Sequence, residues 1–311
     1  MHMPRVRWVL VLGIWTASSP IAFSGVVISG VPDYKWYYGC APTSAGMIIG
    51  YWDGRPGYGD LFYGEASVET QATRNMIASP EHIADPYCQR HAANSIADFM
   101  KTSLDGYTDY PDIPKGLRQY IRWDDPNTPI NESYKTTVKL HSLAWLGGDL
   151  TWDLFKEEID ADRPVLLNVM AFRAGNSYGH TVVGYGYQDA LFQIAVGDAE
   201  DPIYVTVGGF AVRDTWDPNL QAHSWYGWDL SPVNAITDAQ GVEWWPWVEL
   251  QVLPGDTLWS WTIFQGITVD IIPEPGTGGL LGMALLVAIR LRSVRDRRVA
   301  STRSRGVRVR T

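Results

Sequence analysis

Two cysteines occur in this chain of 311 residues, Cys40 and Cys88. Cys40 has the surroundings of a nucleophile. It stands in Trp36-Tyr37-Tyr38-Gly39-Cys40-Ala41-Pro42-Thr43-Ser44-Ala45-Gly46-Met47, where Gly39 permits close backbone approach and Pro42 favours a first helical turn. A thiol at a helix N-terminus feels the positive end of the macrodipole, which favours the thiolate. The Cys40 N–H then points where an oxyanion would form. His180 follows far downstream in Tyr178-Gly179-His180-Thr181-Val182-Val183-Gly184-Tyr185-Gly186-Tyr187, opening an apolar strand behind a glycine. An imidazole at a strand mouth can pair with the thiolate and then protonate a leaving amine. The third member of such a set accepts the other ring N–H and fixes the tautomer. Asp214, in Phe210-Ala211-Val212-Arg213-Asp214-Thr215-Trp216-Asp217, follows a short strand and fits that part. Asp198, nearer to His180 along the chain, is its rival. The chemistry of such a set is acyl transfer: thiolate attack on a peptide carbonyl, a thioester, and release by water that His180 assists.

Competing readings of the same residues have their own physics. Cys40 and Cys88 could close a structural disulfide, which would abolish the nucleophile. Cys88, in Pro86-Tyr87-Cys88-Gln89-Arg90-His91, reads as a buried or free thiol. With His91 and His82 it hints at zinc, but a C-x-x-H without a second pair is a weak signature, so no metal is expected. The acidic group Asp198, Glu200 and Asp201 reads as a solvated turn ahead of a calcium site. Trp225, Trp228, Trp244, Trp245, Trp247, Trp259 and Trp261 could stack on sugars, but their density favours core packing. The chain has no phosphate-cradling glycine loop and no Gly-x-Ser-x-Gly elbow, so no cofactor is expected.

The elements that must carry these residues fall into two regimes. Residues 40–165 read as mostly helical, with helices expected at 42–52, 68–78, 89–103, 114–122 and 151–161; Ile96, Phe99 and Met100 share one helical face. Residues 164–272 read as strands: Pro164–Met170, Thr181–Tyr187, Leu191–Val196, Ile203–Val207, Phe210–Arg213, Trp247–Val252 and Trp261–Ile272. Helices first and a mostly antiparallel sheet second predicts an α+β fold. The gap between His180 and Asp214 is long for one tight hairpin, and an inserted hairpin within 190–208 would account for it.

The helix-opening Cys40, the Gly-His-x-Val-Val-x-Gly-Tyr strand and the strand that ends in Asp-Thr-Trp resemble papain-fold cysteine peptidases, in particular the bacteriocin-processing (double-glycine peptidase-like) branch. The stretch Glu158-Ile159-Asp160-Ala161-Asp162-Arg163-Pro164-Val165 is similar to that branch's helix and strand before the catalytic histidine. The resemblance covers roughly residues 30–52 and 150–217. It implies a papain-like α+β fold, peptide or protein substrates, and Cys40 as nucleophile, His180 as general base and acid, and Asp214 as the orienting residue. The family usually carries a Gln several residues before the Cys as an oxyanion donor. Residues 30–39 contain none, and the Trp36 N–H is the expected substitute.

Both ends read as addresses. Residues 1–24 have Arg5 and Arg7, the apolar run Trp8–Trp15 and the small-x-small Ala22-Phe23-Ser24, as a secretory signal peptide does. At the other end Pro273-Glu274-Pro275 precedes the uncharged run Gly276–Ile289, and then nine arginines from Arg290 to Arg310 with one acid, Asp296. A helix of that length is about 21 Å long, short of the ~30 Å hydrocarbon core, so the segment would span marginally with its arginines on the cytoplasmic side. This order resembles the PEP-CTERM signal that exosortase recognises and cleaves in Gram-negative bacteria. The expected organisation is a signal peptide at 1–24, a peptidase-like domain at 25–272 and a sorting signal at 273–311. The expected destination is the cell envelope, cell surface or extracellular matrix, with the inner membrane a partner before processing. Apolar residues make up 46% and charged residues 19%, which excludes wholesale disorder. Taking the eleven terminal arginines and Asp296 from the 25 basic and 34 acidic residues leaves 14 and 33, a net of −19. A body that acidic repels phosphate backbones, so no nucleic-acid partner is expected.

Overall fold

The structure, a computed structural model, describes residues 25–58, 61–62, 64–123, 134–173, 176–198, 201–215, 235–250 and 261–273. The expected signal peptide and all of the expected sorting signal except Pro273 lie outside these residues, as does the apolar segment 276–289. Among the described residues no helix is long and apolar enough to cross a membrane.

The chain begins with a short strand, β1 (Val26–Val27), and then enters α1 (Cys40–Asp53). Every residue of α1 from Ala41 to Asp53 is buried, because Ala, Gly and Ser leave room for neighbours on all sides. Four shorter helices follow: α2 (Gln71–Ile77), α3 (Pro80–Ala84), α4 (Ile96–Phe99) and α5 (Asp112–Ile121). Side-chain oxygens of Thr70, Ser79 and Ser95 cap α2, α3 and α4 by accepting backbone N–H bonds. The helices α2, α4 and α5 gather around α1, which lies against the sheet. After β2 (Tyr134–Ser142) the helix α6 (Trp152–Asp160) leads into β3 (Val165–Arg173), β4 (Asn176–Asp198), β5 (Asp201–Arg213), β6 (Ile236–Thr237), β7 (Glu243–Pro246) and β8 (Thr262–Pro273).

These strands form one sheet in the order β2-β8-β3-β4-β5-β7-β6, with β1 added beside β4. All named strand pairs are antiparallel. The core lies between α1 and the sheet and continues into an aromatic cluster of Phe155, Phe210, Trp245 and Trp247. Trp244, Trp245, Trp247 and Trp261 are all buried, so none of the four presents a face for stacking on sugar. Trp225, Trp228 and Trp259 lie outside the described residues.

The expected helices at 42–52, 68–78, 114–122 and 151–161 correspond to α1, α2, α5 and α6. Three expectations need correction. The helix expected over 89–103 shrinks to α4, because the Asp98 carboxylate draws the Asn94 N–H and the Ser95 hydroxyl to itself and ends the helix N-terminally. The strand β2 occupies a stretch read as helical. Its alternation buries Tyr134, Thr136 and Val138 and exposes Lys135, Thr137 and Lys139, which is a half-buried strand's period. The strand expected at Trp247–Val252 is not formed over 247–250, where Glu249 makes an isolated bridge to Ile263, and residues 251–252 lie outside the described ones; the strand beside β5 is β7, which ends just before Trp247.

The long gap between His180 and Asp214 is a hairpin. The expected strands 181–187 and 191–196 run together as β4, and 203–207 and 210–213 as β5. The two strands pair from Val183↔Arg213 to Asp198↔Asp201, with register shifts at Gly184/Gly186 and Gln188/Phe192.

Candidate active site

The first turn of α1 fixes Cys40. Gly39 precedes it with φ 141, a value that L side chains rarely adopt, and a Cβ there would meet the Gly106 carbonyl oxygen at 2.7 Å. The Thr43 hydroxyl folds the approaching loop back on the helix. It accepts the Tyr37 N–H at 3.0 Å and lies 2.6 Å from the Gly39 carbonyl and 2.9 Å from the Tyr37 carbonyl, to one of which it donates. One turn later Ser44 Oγ donates to the Thr181 carbonyl at 2.8 Å, tying α1 to β4 one residue past His180.

His180 lies in β4 opposite Val169 of β3 and is buried. On its own strand, Thr181 is held by a polar chain across the sheet. Thr181 Oγ1 donates to Asn168 Oδ1 at 2.8 Å, and Asn168 Nδ2 donates to Gln265 Oε1 at 3.2 Å. The residue after β5 is Asp214. Because Val183 pairs with Arg213, continued register sets Asp214 across from Val182, on the same face as His180. His180 Nε2 lies 2.9 Å from Asp214 Oδ1, and the imidazole also hydrogen-bonds the Cys40 thiol. The three residues singled out from the sequence therefore meet. Asp198 sits at the far tip of the hairpin in register with Asp201, at the opposite end of β4 from His180. The side chains of the acidic group Asp198, Glu200 and Asp201 lie outside the described residues.

The electrostatics favour a charged pair. Burial pushes the Cys40 thiol up, but the hydrogen bond and charge of His180 and the backbone N–H groups of Thr181 and Ala41 outweigh it, and the net shift is downward from 9.0. Burial likewise disfavours the charged His180 ring. Its hydrogen bonds to Asp214 and Cys40, with the charges behind them, prevail and raise it to about 9. A thiolate beside an imidazolium is the state both shifts support.

Cys88 is different. Both cysteines are free, so the disulfide alternative is corrected: Cys40 is engaged by His180, while the Cys88 sulfur donates to Asp98 Oδ1 at 3.3 Å. Burial and the negative charges of Asp98 and Asp85 push the Cys88 thiol up to about 12, where it is a poor nucleophile.

Three neighbours carried no legible signal. The Trp261 ring lies 5.6 Å from the His180 ring and shields the imidazole. The Thr181 N–H faces the Cys40 sulfur. The Tyr110 hydroxyl lies against Gly179, where any Cβ would collide with it, and its ring packs edge-on to Phe264 at 4.8 Å. Burial first, then the nearby Cys40 charge, pushes the Tyr110 hydroxyl up. Trp36, the expected oxyanion donor, lies on the loop before Cys40 with its ring over Gly106.

Over residues 28–223 the chain matches the family described as Peptidase_C39 like. Among curated proteins none matches. Among solved structures the chain is similar to active wild-type interpain A, a cysteine protease of Prevotella intermedia, with 12% identity and a TM-score of 0.36 over 79% of this chain and 93% of that one. A buried helix that opens with cysteine, backed by an antiparallel sheet and matched over most of the described residues, gives a papain-like α+β fold and a chain that belongs to the Peptidase_C39-like family.

Proposed function

We propose that this cysteine peptidase-like protein is an exported enzyme of the bacteriocin-processing-like branch that hydrolyses peptide bonds with Cys40, His180 and Asp214. The observation that carries the reading is the contact of the buried His180 ring with Asp214 on one side and with the Cys40 thiol. The Cys40 thiolate attacks the substrate carbonyl carbon. The oxyanion that forms is met by the Cys40 N–H, which is free at the first turn of α1, with the Trp36 N–H as second donor. The His180 imidazolium gives its proton to the leaving amine as the C–N bond breaks, and a thioester remains. Neutral His180 then takes a proton from water, whose oxygen attacks the thioester, and collapse releases the acid and restores the thiolate and imidazolium. Asp214 orients the ring and favours its charged form throughout.

The substrates are extracytoplasmic peptides or proteins, and the net of −19 on the chain between its two basic ends favours basic ones. The signal peptide and the PEP-CTERM tail direct the chain through the inner membrane to exosortase and the cell envelope. The test is digestion of an unfolded protein by wild type and Cys40→Ala, with iodoacetamide labelling of each cysteine followed by mass spectrometry. Wild type cleaves and labels at Cys40, Cys40→Ala does neither, and Cys88→Ala keeps both. Cleavage that survives Cys40→Ala, or a native Cys40 no more reactive than Cys88, would overturn the proposal.

A further inference from the structure

We propose that Cys88, His91 and Asp98 form a mononuclear zinc-binding site, in which buried His82 holds the Asp98 carboxylate in place. The three ligand atoms, Cys88 Sγ, His91 Nε2 and Asp98 Oδ1, lie within 4.8 Å of one another. The triangle they form has edges of 3.9 Å between Cys88 Sγ and His91 Nε2, 3.3 Å between Cys88 Sγ and Asp98 Oδ1, and 3.1 Å between His91 Nε2 and Asp98 Oδ1. A tetrahedral zinc with ordinary bond lengths to S, N and O would set those edges at about 3.6, 3.5 and 3.3 Å. The in-plane point equidistant from the three atoms lies about 2.0 Å from each, which is bonding distance for nitrogen and oxygen and about 0.3 Å short for sulfur. Adjustments of a few tenths of an ångström seat the ion.

The surroundings have the outer contacts such a site needs. His82 Nδ1 lies 2.6 Å from Asp98 Oδ1 with both side chains fully buried. The other carboxylate oxygen accepts the Ser95 hydroxyl at 2.7 Å and the Asn94 N–H at 3.1 Å. His91 Nδ1 lies 3.6 Å from Asp85 Oδ2 without a hydrogen bond, a few tenths of an ångström short of the carboxylate–histidine–metal arrangement that orients an imidazole ligand. Four buried polar atoms of the cluster, Tyr38 Oη, His82 Nε2, His91 Nδ1 and Asn94 Oδ1, make no hydrogen bond. One thiolate and one carboxylate neutralise the two charges of the ion, and a borderline-soft S, N, O set suits zinc. Zinc binding breaks the S–H bond of Cys88, forms an S–Zn bond and releases the proton to solvent. A water completes the tetrahedron.

The site is separate from the proposed nucleophile yet reaches its loop. The His82 ring packs edge-on against Tyr38, with centroids 4.8 Å apart, and Tyr38 holds a left-handed φ of 61 two residues before Cys40. The sequence pattern concealed this site, because its third ligand comes from α4 and no second C-x-x-H pair exists.

The test uses the full chain, untagged and stripped of metal, carrying Cys40→Ala so that Cys88 is its one thiol and the peptidase chemistry is out of play. Zinc titration with a competing chelator is expected to show one ion per chain. Cobalt in its place is expected to give a thiolate-to-metal charge-transfer band. Adding Cys88→Ser removes the band, and adding His91→Gln weakens zinc binding by more than about 100-fold. Because Asp98 is buried, these two half-buried positions are the ones changed, and circular dichroism verifies that each variant is folded. Absence of uptake, or uptake that survives Cys88→Ser unchanged, overturns the site without touching the assignment of Cys40.

Discussion

Replacing Asp214 by Asn removes a charge from the His180 ring while keeping its shape and a hydrogen-bond partner. The ring titrates at about 9 against an ordinary 6.5, which corresponds to about 3 kcal/mol in favour of the protonated form. That balance is reached against burial, and Asp214 is the foremost of the groups that oppose burial. Assigning the carboxylate about half of the net effect lowers the protonation constant of the ring by roughly tenfold. The thiol feels the loss at once, because Cys40 is held below 9.0 chiefly by the hydrogen bond and charge of that same ring. The assay needs no substrate: the rate of iodoacetamide alkylation at Cys40 follows the thiolate fraction and is read by peptide mass spectrometry across pH. In wild type the half-point lies below 9.0. In Asp214→Asn it moves up by about one pH unit, and alkylation at pH values below the wild-type half-point slows about tenfold. Asp198→Asn, at the hairpin tip, leaves the profile in place. An unmoved profile in Asp214→Asn, or a shift produced by Asp198→Asn, would refute the electrostatic coupling argued here.

In the proposed mechanism peptide hydrolysis depends on a protonated His180 and a deprotonated Cys40. Its kcat/KM should therefore hold a plateau near neutrality, fall above pH about 9 as the ring loses its proton, and fall on the acid side where the thiolate is protonated; a steady rise through pH about 10 would contradict the assignment. Gly179→Ala drives a methyl group into the Tyr110 hydroxyl and should destabilise the fold by about 1–3 kcal/mol in a urea melt, with Gly179→Ala/Tyr110→Phe recovering part of that loss. Mass spectrometry of the protein recovered from a Gram-negative host should find an N-terminus close to Gly25 and loss of residues beyond Pro275. Recovery of the intact chain from the cytoplasm would argue against export.

Local signals survive folding better than long-range ones, and the residues show why. The small residues after Cys40 announced a helix that packs on every side, and α1 is that helix. His180 was legible from Gly179 and the valines behind it. Asp214 was legible from its place at a strand end, whereas its distance from His180 pointed to the wrong rival until the hairpin was seen. Ser79-Pro80 is a helix start in both cap and first-turn residue, and α3 could have been found from it. The alternation of Tyr134, Thr136 and Val138 was a strand signal lost among helical neighbours. Tyr110, Trp261 and Asp98 meet their partners only through tertiary contacts made by α5, β8 and α4, and no sequence period reports such meetings.

The ribbon of β4 and β5 separates length from geometry. Between Phe192 and Val207 the two strands pair only with each other, whereas near their bases β3, β1 and β7 clasp them. Ring and carboxylate both belong to the clasped end. Trimming or extending the free end by matched pairs of residues would thus change how far the arm reaches from the body while leaving the His180–Asp214 contact at its root unaltered, so the arm is where relatives of this chain can diverge in what they touch without disturbing that contact.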